Sequence, residues 1–374
     1  MKNTKVFALS IIVGLSLASC TQGNVQTTKT PADLFDPGVS AEARIKINNL
    51  LADIPESEKA GIDRFEIVYI DDDGQIYSNR TGLGTREGKI IEQGGGRIVR
   101  FSNGDEMPAP SKDIFNPSKL SANASTFGTC NTSDGPYFRS YTKAGYAGIR
   151  GNLTIQSLSA IGTVNGSNVA AYAYFGGQAA NGASTAEGGL VYYAGKMRIF
   201  FTAPGNTYPN PGNSGSSYQE FVPAVGAPPL AVGTSYPVRY QIFANGTNSS
   251  TANGLVWVDV TVNGLTAAKI IRFAATQMNV AGTDQYMKRM ASIASSGFVP
   301  YNGTTKYASK NQVLLNQVNV GTWNGNGYNW TPWTAASAFS ANSDCKWPTA
   351  AIVTTSPVNT ASSSSVTTVV DMSK

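Results

Sequence analysis

Val256-Trp257-Val258-Asp259-Val260-Thr261-Val262-Asn263-Gly264 decides the fold class. Valine fills each even position through 262, while Trp257, Asp259 and Thr261 take the odd ones. Successive side chains of a strand point to opposite faces, so this alternation describes a β-strand with one apolar face. Asn263-Gly264 then supplies the positive φ angles of a two-residue type I′ turn. Ile270 and Ile271 belong to the strand that returns. Outward from this hairpin, short apolar runs read as strands over 169–175, 189–193, 197–202, 236–244, 267–273, 312–320 and 351–355. Gly, Asn, Ser and Pro separate them. Residues 287–296 fit a short helix or a strand equally well. Helical periodicity is nearly absent from residue 130 onward, and many short strands at this spacing predict an antiparallel sandwich or barrel.

The N-terminal third has another character. Ala43, Ile45, Ile47, Leu50 and Leu51 recur among charges over 40–53, which predicts one amphipathic helix with Ser40 as its N-cap. A strand over 65–70 is followed by the acidic turn Asp71-Asp72-Asp73-Gly74 and a return at 75–77. That turn lacks the alternating ligands and distal glutamate of an EF-hand, so it reads as a hairpin turn and no metal site is expected. Residues 98–101 suggest a further strand. Three prolines with much Ser and Asn over 103–126 mark a break. The expected organisation is a small α+β region over 40–102, a linker over 103–129 and a β-sandwich over 130–374.

The C-terminal two-thirds resembles a concanavalin A-like jelly roll, the fold of legume lectins and many secreted glucanases. The resemblance rests on Glu187-Gly188-Gly189-Leu190-Val191-Tyr192-Tyr193, on the strand over 236–244 and on the 256–264 strand and turn. It implies an antiparallel β-sandwich. It implies no single activity, because jelly rolls serve as lectins, hydrolases and lyases.

At the N-terminus, Lys2 and Lys5 precede an apolar run over 6–17 of signal-peptide length. The run is short for a membrane span, which needs about 20 residues. Leu17-Ala18-Ser19-Cys20 resembles the lipobox of bacterial lipoproteins. That resemblance implies a signal peptide over 1–19, cleavage before Cys20 and lipid on its sulfur. Acyl chains at ~0.8 kcal/mol per buried methylene would hold the chain to a membrane. Residues 20–39, rich in Thr, Asn, Gln and Pro, read as a tether. The expected location is the bacterial cell envelope, outside the cytoplasm. Lipidation of Cys20 leaves Cys130 and Cys345 as an even pair, and an oxidising compartment favours a disulfide between them. Such a bridge would close about 215 residues and contribute at most about 5 kcal/mol.

Histidine is absent, which excludes His-based zinc sites and Ser-His-Asp or Cys-His catalysis. Residues 21–129 hold 16 acidic and 12 basic side chains, and residues 130–374 hold 7 and 14. The basic excess of the sandwich suits an acidic glycan, lipid head groups or the acidic N-terminal region, or is scattered surface charge. Nucleic acid is not an expected partner of an exported chain without a basic cluster interleaved with aromatics. Gly94-Gly95-Gly96 has no strand–helix context, so no nucleotide cofactor is expected.

A glycosidase needs two carboxyls about 5–10 Å apart. The sandwich offers Asp134, Glu187, Glu220, Asp259, Asp284, Asp344 and Asp371, with no pair two or four residues apart on one strand. A cross-strand pair such as Glu187 with Asp259 remains open, as does a lyase using Tyr192, Tyr193 and Arg198. The stronger binding candidate is Trp323-Asn324-Gly325-Asn326-Gly327-Tyr328-Asn329-Trp330-Thr331-Pro332-Trp333. Its four aromatics, Trp323, Tyr328, Trp330 and Trp333, sit among Gly and Asn, which favour an exposed loop. Rings that stack on sugar C–H faces, beside amides that bond to hydroxyls, suit glycan recognition. If the segment folds inward, the same tryptophans fill the core. Glu187, Tyr192 and Arg198 are further ligand candidates on a second strand pair. The reading is a non-catalytic, membrane-anchored lipoprotein that binds a glycan or another surface component. Its rivals are a carbohydrate-active enzyme and a structural envelope protein.

Overall fold

A computed structural model describes residues 34–52, 54–58, 66–70, 76–81, 86–93, 96–110, 135–180, 185–203, 217–221, 229–244, 254–262, 265–272, 278–298, 306–339, 352–358 and 360–374. The signal segment, Cys20, Cys130, Cys345, the Asp71-to-Gly74 turn and Asn263-Gly264 lie outside them.

Helix α1 spans Ala41–Ala52 and is followed by a single turn at Glu56–Glu58. The first strands are β1 (Glu66–Ile70), β2 (Ile76–Ser78), β3 (Arg86–Gln93), β4 (Gly96–Phe101) and β5 (Glu106–Pro108). Then come β6 (Tyr137–Tyr141), β7 (Gly148–Ser159), β8 (Thr163–Val164), β9 (Ser167–Asn168), β10 (Ala170–Ala179) and β11 (Thr185–Tyr193). They are followed by β12 (Lys196–Ala203), β13 (Ser217–Phe221), β14 (Tyr236–Phe243), β15 (Leu255–Val262) and β16 (Leu265–Arg272). The last are β17 (Gln285–Ala294), β18 (Lys310–Trp323), β19 (Tyr328–Pro332), β20 (Val353–Ser356) and β21 (Val366–Asp371).

These strands form an antiparallel β-sandwich of the jelly-roll kind. The first sheet runs β2-β1-β16-β15-β14-β7-β18-β21-β20, with β19 also on β18. The second runs β5-β4-β3-β13-β12-β11-β10-β17-β6. Among the described residues, β1 on β16 is the one parallel pairing within these two sheets. The valines of β15 face the second sheet: a Cβ on Gly188 would come within 2.7 Å of Val258 Cγ1. Trp257 and Asp259 therefore face away from it, on the outer side of the first sheet. Val262 pairs with Leu265, the register that a two-residue connection imposes. Residues 287–296, ambiguous in sequence, fall largely in β17, a strand between β10 and β6 with both faces buried. A strand covered on both sides carries no alternation, which is why its pattern was unreadable.

The helix forms where its pattern predicts, but Ile45, expected in the apolar stripe, is 60% exposed. Ala43, Ile47, Leu50 and Leu51 are buried, and Ser40 Oγ accepts the Ala43 N–H at 3.1 Å. The division into a separate α+β region, a linker and a sandwich needs correction. β1 and β2 extend the first sheet through β16, and β3, β4 and β5 extend the second through β13. One hydrophobic core runs from Leu34 and α1 through both sheets to Met372. β5 lies in the stretch expected to be linker. Its proline is compatible because β5 is an edge strand, where the missing N–H breaks no ladder.

Candidate functional site

Charged and polar side chains gather on the outer face of the first sheet. Arg239 on β14 stands opposite Asp259 on β15 and Arg150 on β7. Its Nε donates to Asp259 Oδ2 at 2.7 Å, and its Nη1 to Glu58 Oε2 at 3.1 Å. Burial alone would lower Arg239, but Asp259 and then Glu58 hold the guanidinium above its ordinary value. Gln241 Nε2 also donates to Glu58, at 3.2 Å, and Ser57 Oγ donates to Asn326 O at 3.0 Å. The Glu56–Glu58 turn thus ties the floor of this face to the tip of the β18–β19 hairpin.

Beside this network lies a cleft of about 420 Å³ lined by Arg150, Asn152, Arg239, Asp259, Gln317 and Asn319 among others. Asn152 Nδ2 donates to Gln317 Oε1 at 3.1 Å, and Asn319 Nδ2 to Gln317 O at 2.6 Å. Asn152 Oδ1, Gln317 Nε2 and Asn319 Oδ1 have no partner among the described residues. The β18–β7 register slips between Asn316 and Asn319, and Gln317 has φ +51°. Such bulges re-aim side chains, and left-handed non-glycine residues cluster at functional sites. Arg150 is exposed, and its guanidinium carbon lies 4.5 Å from the centroid of the Trp330 ring. Partial burial, then the charge of Arg239, holds Arg150 below its ordinary value.

The aromatic segment expected to be a loop is a hairpin: β18 and β19 pair from Asn319–Pro332 to Trp323–Tyr328. Tyr328 and Trp330 stack at 5.2 Å and 28°. They lie over Gly321 and Gly148, where added Cβ atoms would meet the two rings at 2.7–3.1 Å. Glycine at both positions lets the rings settle onto the sheet. Trp330 and Trp323 are half-buried. Tyr328 is buried; its one hydroxyl proton lies between the backbone carbonyls of Ala147 and Ile242, and its oxygen accepts the Ile242 N–H. Burial pushes its phenol pKa up. Tyr328 is therefore a structural platform and not an exposed contact. Trp333 is a correction as well: it is 1% exposed and caps the guanidinium of Arg289, with 4.3 Å between that carbon and the ring centroid.

The other sequence candidates lie on the second sheet. Tyr192 is half-buried and packs against the core, with the parity of Leu190 and Gly188 that faces the first sheet. Glu187 and Arg198 face the opposite way. Glu187 on β11 pairs with Lys288 on β17 across β10, where both stand in register with Gly176. The missing side chain at 176 is what lets the two ions meet. Burial pushes the Lys288 amine down, and Glu187 partly restores it. Around them sit buried Arg139, stacked near Tyr137 and Tyr141, and Gln178, whose Oε1 accepts from Tyr141 Oη at 3.2 Å. Arg198 instead pairs with buried Glu220 at 3.4 Å, which Arg86 also approaches at 3.7 Å. The cross-strand pair of Glu187 with Asp259 is ruled out as a catalytic couple, because the two carboxyls stand on opposite outer faces of the sandwich.

No protein-family model matches the chain, and no curated protein matches it in sequence. Among solved structures, similar chains include a Scytalido-glutamic peptidase with a peptide-based transition-state analog, 10% identical, covering 63% of this chain and 97% of its own, at TM-score 0.35. SCP-B of the Eqolisin peptidase family, with the tripeptide Ala-Ile-His, is 11% identical over 63% and 97%, at 0.34. The marine PL-14 alginate lyase from Aplysia kurodai is 12% identical over 53% and 83%, at 0.21. Peptide and alginate chemistry belong to those proteins; the site here stands on its own geometry.

Among the described residues, no group of three or more His, Cys, Asp or Glu is placed to hold a metal ion, and no helix is long and apolar enough to cross a membrane. The residues that sequence reasoning missed had local signals. In β7, Arg150 and Asn152 alternate with Ile149 and Leu153. In β17, Lys288 and Arg289 interrupt an apolar run.

Proposed function

We propose that this chain is an envelope lipoprotein, anchored through lipid on Cys20 and bridged between Cys130 and Cys345, that binds a glycan in the cleft of its first sheet. The observation that carries the reading is the cleft wall itself. Asn152, Gln317 and Asn319 supply amide atoms with no partner among the described residues, and exposed Arg150, its guanidinium held on the Trp330 ring, supplies donors. A polyhydroxylated ring asks for such donors and acceptors for its hydroxyls. Trp330 lies between the Tyr328 ring and the Arg150 guanidinium and holds the guanidinium in place. A hydrogen bond is worth about 0.5–1.5 kcal/mol, so Asn319→Ala should weaken binding roughly twofold to tenfold, and Trp330→Ala should do so to a similar degree by releasing Arg150. Glycan-array binding by the soluble mature chain, wild type against Trp330→Ala and Asn319→Ala, tests this. Failure of the wild type to retain any glycan defeats the reading.

A second reading, a carbohydrate-active enzyme, is favoured by the ionisable ensemble on the second sheet. Lys288, held down by burial, and Tyr141, pushed up by it, lie with Glu187, Arg139 and Gln178, the kind of buried ionisable cluster that active sites use. Their near-complete burial weighs against it, since an acid or base has to reach its substrate. Screens for new reducing ends and for unsaturated uronate products should stay flat. Cleavage that disappears in Glu187→Gln would put the enzyme reading ahead.

A further inference from the structure

We propose that the glycan taken by this cleft is acidic, a sugar whose carboxylate is bound by Arg150; this rests on the glycan reading above. Four charged groups meet at the cleft, and they are not equally occupied. Asp259 and Glu58 each give one oxygen to Arg239, one accepting from Nε and the other from Nη1. Glu58 also takes the Gln241 amide. Arg150, directly opposite Arg239 on the neighbouring strand, has no carboxylate within ion-pair distance among the described residues. Glu58 acts on Arg150 through its field from beyond ion-pair distance, and the Arg150 N–H groups stay open to an anionic ligand.

The geometry also selects the kind of anion. The face of the Arg150 guanidinium is taken by Trp330, which leaves its edge for hydrogen bonding. An edge-on guanidinium is a planar fork, and it matches the two oxygens of a carboxylate. A sugar seated in the cleft would then bring a ring carboxylate to the open edge of Arg150 and its hydroxyls toward Asn152, Gln317 and Asn319. Glu58 limits the attraction, because its charge lies near that of the incoming group. Neutralising Glu58 should strengthen acidic ligands selectively.

The test uses the soluble mature chain, titrated with a uronic-acid tetrasaccharide, the same tetrasaccharide after carboxyl reduction, a sulfated neutral tetrasaccharide, and vesicles containing anionic phospholipid. The wild type should prefer the uronate over its reduced form by about tenfold or more, the gain of one charge-assisted pair. Arg150→Gln should bring the two affinities together, costing the uronate about tenfold or more and the reduced sugar much less, in a protein that still melts cooperatively because Arg150 is exposed. Glu58→Gln should widen the preference. Equal wild-type affinity for uronate and reduced sugar overturns the proposal and leaves the glycan reading standing. Sulfated sugar bound as tightly as uronate, with the same loss in Arg150→Gln, overturns the choice of carboxylate. Vesicle binding with no sugar binding replaces the glycan with a lipid head group. No binding to any sugar defeats both this proposal and the reading beneath it.

Discussion

Replacing Trp333 by alanine separates a core tryptophan from a ligand-binding one. The ring is 1% exposed and covers Arg289, itself fully buried. Arg289 Nη2 donates to Thr360 O at 2.6 Å and Nη1 to Ser363 O at 3.0 Å, so its charge is met by two carbonyls and one aromatic face. Truncating a buried Trp costs about 3–5 kcal/mol. Removal of a desolvated cation–π contact, worth up to about 2 kcal/mol, places this site toward the upper end. Unfolding entropy near 2.1 cal/mol/K per residue gives about 0.7 kcal/mol/K for a chain of this size, so Tm should fall by roughly 4–7 °C. Trp330→Ala, at a half-buried ring, should lower Tm by less than about 2 °C on the same scale. Thermal melts followed by circular dichroism, with binding measured on the folded fraction, read both effects. If Trp333→Ala melts within about 1 °C of wild type and loses binding instead, its assignment to the core is refuted.

Three further outcomes are expected. Cys20→Ala should move the protein from washed membranes to the soluble fraction; retention would place the anchor elsewhere. Non-reducing peptide mapping should recover Cys130 and Cys345 linked, whereas two alkylatable thiols in fresh protein exclude the bridge. Asp36 is held below its ordinary 3.8, first by the Thr81 backbone N–H, then by Arg80 after burial opposes it. A lowered carboxyl stabilises the fold above its unfolded pKa and ceases to do so as pH falls through the folded value. Asp36→Asn should therefore be less stable than wild type in denaturant at pH 7, and the difference should close as acid takes the pH past 3.8 and below.

Strands whose two faces differ in side-chain type were the legible part; β15 is buried at every position but Thr261, yet one of its faces is all valine. β15 announced itself through alternate valines, and α1 through its 3–4 residue spacing and Ser40. β10 and β17 are buried along their whole length, so alternation is lost and length alone has to distinguish strand from helix. The domain boundary misled because Pro and Ser over 103–126 mark an edge strand as readily as a linker; sheet membership is a long-range property that composition does not carry. The aromatic segment was legible as a cluster but not as a hairpin, because Gly and Asn occupy its tip at 324–327. Which rings lie exposed depends on Gly148, more than 170 residues from Trp330, and on Arg289 beneath Trp333. The Glu187–Lys288 pair needed Gly176 between its strands, a register no local pattern reveals.

Amide hydrogen exchange with and without an array-selected oligosaccharide tests the central claim most directly, because the two outer faces belong to different peptides. Binding in the first-sheet cleft predicts added protection over 148–152, 237–241 and 317–332, with 137–141, 185–193 and 285–292 unchanged. Protection confined to those second-sheet strands would contradict it and place the ligand over Glu187 and Lys288.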